Sequence, residues 1–218
     1  EKSGIFLPFG AWILETACTQ FASWQHQHGP LVLALNIAPS QLKDADFYQK
    51  VCAACAAADF PHQLIEFEIN EAALLRSPTA LADVEGFVQQ DVSMSLTVDG
   101  FGLSASSSEL LQSLSIHKVK FAPQLIKNME HDTEVFEHVQ SFERLTLAHD
   151  VQMMADGLLS EAQTLMMEKL GCVLVQGPYV SQALSPNQFE DLLIHQARAT
   201  IAQQKIQTQD VSSPALSY

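Results

Sequence analysis

Met94-Ser95-Leu96-Thr97-Val98-Asp99-Gly100-Phe101-Gly102 is a short apolar run that ends on a carboxylate and two glycines. The run has strand length, and the glycines mark the handover to a loop. Five more stretches have the same form: 31–37, 64–69, 116–121, 151–155 and 172–176. The set reads as largely continuous apolar runs rather than alternating ones, clearest in 31–37 and 172–176, which is the mark of strands buried on both faces of a parallel sheet. Amphipathic segments lie between them. They are predicted as helices at 9–27, 40–58 (Ser40 as N-cap), 77–90, 106–114, 133–149, 160–170 (stopped by Gly171) and 186–204. Strand–helix repetition with short connections predicts an α/β fold of the (β/α) barrel type, with its site at the carboxyl ends of the strands.

Composition narrows the function classes. The chain has 218 residues and 47% hydrophobic content, enough for one sizeable core. Its 25 acidic and 11 basic residues give a formal charge of −14, which disfavours a nucleic-acid partner or an anionic membrane surface. No apolar run reaches the ~20 residues of a membrane span. Cys52 and Cys55 form a CxxC on an alanine-rich segment. With no second such pair or nearby His to complete a zinc set, they read as small core residues. This cysteine usage predicts a reducing, cytoplasmic setting. Residues 1–205 are read as one domain and 206–218 as a disordered polar tail. Six strands fall short of the eight of a closed barrel, so two strand–helix units are expected upstream of Glu1.

The residues closing the six runs are Asn36, Glu68, Asp99, Lys120, Asp156 and Gln176. A single polar residue at a strand end is an ordinary cap, but six in succession on one rim predict a shared site. Oxygen donors beside one lysine suit Mg²⁺ or Mn²⁺ chemistry on a phosphate ester.

In order and spacing these stretches resemble the EAL family of cyclic di-GMP phosphodiesterases. The resemblance runs over about residues 1–195. It is carried by Leu35-Asn36-Ile37-Ala38, Glu66-Phe67-Glu68-Ile69-Asn70-Glu71, Val98-Asp99-Gly100-Phe101-Gly102, Val119-Lys120-Phe121-Ala122, Met154-Ala155-Asp156-Gly157-Leu158-Leu159 and Val175-Gln176-Gly177, preceded by the opening Glu1–Trp12. It implies Asn36, Glu68, Asp99 and Asp156 as metal ligands and Lys120 as the contact to the attacking water. It also implies Asp99, Lys120, Gln176 and Tyr179 as ligand-binding residues.

Several positions depart from the family pattern. Gly100 replaces the second of two adjacent aspartates, Ala122 an aspartate, and Asp156 and Leu159 two glutamates. Pro178 stands where a tyrosine is usual, with Tyr179 next, and Ala183 replaces a proline. The Glu-Ala-Leu segment and its phosphate-gripping arginine would lie upstream. The resulting expectation is a degenerate, bacterial, non-enzymatic signalling domain with vestigial metal and catalytic positions. It would need no cofactor and bind Mg²⁺ or Mn²⁺ only weakly. It would act as a cyclic di-GMP receptor or as an interaction module for a protein partner, downstream of a GGDEF or sensory domain. The alternatives are a residual metal-dependent phosphodiesterase and a homodimerisation element built on the serine-rich loop 103–108.

Overall fold

The computed structural model describes residues 6–76, 79–91 and 93–197. Its six strands form one sheet in sequence order: β1 (Leu33–Asn36), β2 (Ile65–Asn70), β3 (Ser95–Phe101), β4 (Lys118–Phe121), β5 (Gln152–Ala155) and β6 (Leu174–Val175). Every neighbouring pair is parallel. Parallel neighbours require crossovers, and helices supply them: α1 (Phe6–His28) before β1, then α2 (Phe47–Ala58), α3 (Glu71–Arg76), α4 (Ala80–Val88), α5 (Ser107–Ser113), α6 (Pro123–Asn128), α7 (Thr133–Ala148) and α8 (Glu161–Lys169). Residues 186–197 are helical as well. The result is a curled parallel sheet with helices around it, a partial (β/α) barrel, as the apolar runs predict.

The layer between sheet and helices is apolar. Phe67, Ile69, Val98, Val119 and Phe121 are almost fully buried against helix residues such as Val84, Phe87, Ile126 and Phe142. Phe101 meets Phe142 edge-on at 4.9 Å, and Phe67 meets Phe87 likewise at 5.4 Å. Side chains alternate along a strand, so the opposite face carries Glu66, Glu68, Thr97, Asp99, Lys118 and Lys120. Lys118 and Glu66 form an ion pair there, one pleat below Lys120 and Glu68.

Three boundaries differ from the sequence reading. The segment from Ser40 is a set of turns, and α2 begins only at Phe47, after Asp46. Two six-residue helices, α3 and α6, were not predicted: one follows β2 without a break, and the other starts at Pro123, which presets a helical φ at the first position. Cys55 packs against Cys18 of α1, with sulfurs 3.9 Å apart, while Cys52 is half-buried; the cysteines are free thiols in the core, as the composition suggests. The predicted tail, 206–218, and the end of the last helix lie outside the described residues. No helix among the described residues is long and apolar enough to cross a membrane.

Candidate functional site

Register brings the predicted residues to one end of the sheet. Asn36 lies opposite Glu68, Asn70 opposite Asp99, and Asp99 opposite Lys120. The Lys120 ammonium donates to Glu68 Oε2 at 3.1 Å and sits 3.8 Å from Asp99 Oδ1. Both side chains of the shorter pair are more than nine-tenths buried, whereas the Asp99 carboxylate keeps 25% of its exposure. Asp99 is therefore the partner that faces incoming solutes.

The burial shows in the protonation behaviour. Desolvation raises the Glu68 carboxyl above the ordinary glutamate range, and the Lys120 charge offsets this only in part. Burial also works against the Lys120 charge, but Glu68, Asp99 and Asp156 outweigh it and hold the ammonium above the usual lysine value. Lys120 is thus a fixed positive charge at neutral pH.

Asp99 borders a groove of about 540 Å³ at the carboxyl ends of β2 to β5. It is lined by Asn70, Glu71, Arg76, Asp99, Ser104 and Asp156, among others. Its size is that of a small-molecule site. The loop after β3 forms one wall and is tied down at Gly102: the Gly102 N–H donates to Glu71 Oε1 at 3.4 Å, and the Gly102 carbonyl lies 2.8 Å from His138 Nε2. Glu71 is 2% exposed, so its carboxylate is spent on this loop rather than on a solute.

Gly100 is the extra residue of a β-bulge. Asp99 pairs with Lys120 and Phe101 with Phe121, which leaves Gly100 without a partner on β4. Its φ is +67°, the left-handed conformation that glycine adopts without cost, and an added Cβ would meet Asn70 Nδ2 at 3.0 Å. The sequence reading treats Gly100 as a missing carboxylate. The structure adds that the backbone here is shaped for glycine.

Other predicted residues are more dispersed. Asp156 borders the groove and also a second cleft of about 620 Å³, which holds Gln176, Trp24 and Phe189. Asn36 lines an apolar pocket of about 230 Å³ between α1 and β1. Tyr179 is half exposed and borders neither cleft. Asn70, Glu71, Arg76, Ser104 and Gln124 line the groove and were not singled out from the sequence. For Glu71 the signal was present, since it closes Glu66–Glu71; for Arg76 there was none beyond its being one of few basic residues.

The donor set tests what cation could be held. Among the described residues, no three His, Cys, Asp or Glu side chains lie close enough to hold a metal ion. The donor set suits Mg²⁺ or Mn²⁺ in the mode where one or two carboxylates act with substrate phosphate and water, with Glu68 and Asp99 as the carboxylates and Asn36 as an amide donor.

Comparison with known proteins bears on these expectations. The EAL domain family model matches residues 1–183. The chain is 25% identical over 193 residues to the cyclic di-GMP phosphodiesterase PA2567 of Pseudomonas aeruginosa, covering 88% of this chain and 33% of that protein. It is 24% identical over 191 residues to the cyclic di-GMP phosphodiesterase PdeR of Escherichia coli, covering 87% and 29%. The chain therefore spans a third or less of the length of these relatives. Among solved structures, the PaMucR phosphodiesterase in its cyclic di-GMP complex superposes with a TM-score of 0.77 at 24% identity, over 87% of this chain and 76% of that one. The EAL enzyme Bd1971 superposes with a TM-score of 0.80 at 21% identity, over 88% and 53%. At these identities the superpositions establish the fold.

The expectation of a degenerate domain that is not an enzyme is overturned by these findings. Relatives matched along nearly the whole chain include cyclic di-GMP phosphodiesterases. The substitutions at Gly100, Ala122, Leu159 and Ala183 do not by themselves decide whether the remaining site assembles. The Glu68–Lys120–Asp99 cluster is assembled. With the family model matched over most of its length and a partial (β/α) barrel beneath it, this chain belongs to the EAL domain family.

Proposed function

We propose that this domain binds cyclic di-GMP in the groove at the carboxyl ends of its strands and opens it to the linear dinucleotide with a divalent cation, as one module of a longer signalling protein. The observation that carries the reading is Lys120 set between Glu68 and Asp99, with Asp99 lining a groove of about 540 Å³. The names of the relatives support the choice of dinucleotide.

A cation held by Asn36, Glu68 and Asp99 would supply Lewis-acid stabilisation of the phosphoryl oxygens and a more acidic water. The chain's own groups do the rest. Lys120, charged and fixed by Glu68, donates hydrogen bonds to an oxygen at the reacting phosphate. Asp99, the more exposed carboxylate, accepts from the water that adds to phosphorus. One ring P–O bond breaks as the new one forms, and the departing sugar oxygen leaves with a proton from solvent. Glu71 and His138 hold the wall of the groove through Gly102, which keeps Asp99 in place.

The test is incubation of the protein with cyclic di-GMP and Mg²⁺ or Mn²⁺, followed by separation of cyclic and linear products. Metal-dependent appearance of the linear dinucleotide, lost in Lys120→Met, is the expected result. Saturable binding with no turnover refutes the hydrolytic half of the proposal, and absence of binding at tens of micromolar ligand refutes both halves.

A further inference from the structure

We infer that Arg76 is the phosphate-contacting residue at the outer end of the groove and sets its affinity for an anionic dinucleotide, an inference that rests on the cyclic di-GMP reading above. The argument is one of charge. The chain carries a formal charge of −14, so an anion approaches it against a repulsive field. The charged side chains lining the groove are Glu71, Asp99, Asp156 and Arg76. Three are acidic, and Arg76 alone is basic.

Lys120, next to Asp99 and not itself among the lining residues, cannot serve the whole ligand. It is 6% exposed, and its ammonium is already engaged by Glu68 at 3.1 Å and Asp99 at 3.8 Å. Arg76 differs on both points. It ends α3, five residues after Glu71, and its side chain is exposed. No salt bridge among the described residues uses it. A guanidinium with its donors free can grip a phosphodiester through two parallel hydrogen bonds. Cyclic di-GMP has two phosphodiesters, so one can sit at the Asp99 end while the other meets Arg76.

The position is fixed by backbone rather than by chance. Helix α3 follows β2 without a connecting loop, and Glu71 at its first residue is buried against the loop after β3. Arg76 lies five residues on, so the same short helix that clamps one wall of the groove presents a cation at its mouth.

Titration calorimetry with cyclic di-GMP, run with Ca²⁺ in place of Mg²⁺ at 50 and 300 mM salt on the wild type, Arg76→Gln and Arg76→Lys, tests this. Removing a charge-assisted phosphate contact is expected to weaken binding about tenfold at low salt. Arg76→Lys should recover part of the loss, because it keeps the charge and gives up the bidentate geometry. The salt dependence of Arg76→Gln should be shallower than that of the wild type, which a merely structural role would not produce. Equal affinity and equal salt dependence in wild type and Arg76→Gln would overturn the inference while leaving the ligand reading intact. Failure of the wild type to bind would instead overturn the ligand reading, and the inference with it.

Discussion

Replacing Lys120 by Met removes the charge that makes a buried Glu68 tolerable. Two outcomes compete in the variant. Glu68 can remain ionised without its partner, at a cost of about 3–5 kcal/mol for breaking a buried pair. Or it can take up a proton, at a cost set by the distance between the solution pH and the ordinary glutamate value of about 4.3. At pH 7 that second cost is about 3.7 kcal/mol, and at pH 5 it is about 1 kcal/mol, from 1.36 kcal/mol per pH unit. The molecule takes the cheaper route, so protonation caps the loss. Asp99 contributes little to the sum, since its carboxylate is 25% exposed and solvated. The sign follows from linkage. Glu68 has a folded value above its unfolded one, so between those two values the folded state holds more protons and stability falls as pH rises. The variant widens that window. Urea unfolding of wild type and Lys120→Met at pH 5 and pH 8 measures both effects, and Lys120→Met/Glu68→Gln should recover most of the loss at pH 8. A variant that loses as much at pH 5 as at pH 8, or a double variant no better than the single one, would refute the account of Glu68 as a buried carboxylate held by Lys120.

Three further outcomes follow from particular contacts. Gly100→Asp places a carboxylate beside Asp99 and should tighten Mg²⁺ binding measured by calorimetry. Its positive φ makes the same change cost about 1 kcal/mol in thermal unfolding, and unchanged Mg²⁺ affinity would mean that Asp99 is not a cation ligand. Gly177→Ala should be among the most damaging single changes, about 3 kcal/mol or more, because the new Cβ would run into the Leu158 backbone nitrogen and lie 2.6 Å from its carbonyl oxygen; a melting temperature within a degree of wild type would show that the loop has room to shift. Asp91 accepts from the Ser93 hydroxyl and amide, and from His62 at 2.9 Å, and these donors hold its carboxyl below the usual aspartate range. Its contribution is therefore present above about pH 3.9 and lost as pH falls through the depressed value, so an acid-unfolding midpoint that does not rise in Asp91→Asn would count against the cluster.

Much of this architecture is legible in the residues because burial on both faces leaves a plain mark. Runs such as Leu31–Ile37 and Cys172–Val175 are nearly continuous apolar stretches, whereas Leu64–Ile69 and Ile116–Phe121 keep apolar residues on the helix-facing side only, and it is the repetition of such runs with helical segments between them that gives a parallel sheet. The polar side chains of the two alternating runs, Glu66, Glu68, Lys118 and Lys120, point to the other face and find each other in pairs. The short helices escape notice for a physical reason. Six residues make fewer than two turns, too few for a period of 3.6 to show, and α3 adjoins β2 with no turn residue to separate them.

The candidate site is legible in its base and not in its mouth. Glu68, Asp99 and Lys120 lie at strand ends, where sequence position implies spatial position. Arg76 lies at a helix end whose direction depends on how α3 leaves the sheet, and no local pattern encodes that. Gly100 shows the converse difficulty. Read as a letter, it is an absent aspartate and argues for lost chemistry. Read in place, it is the unpaired residue of a bulge at φ +67°, and the bend it permits carries the chain from Asp99 into the loop that Glu71 and His138 clamp at Gly102. The glycine that removes one oxygen donor thus also helps to set the position of the donor that remains. Substitutions at such a site are weighed by the geometry they leave behind, and here that geometry keeps a charged lysine between two carboxylates, one of which lines an open groove.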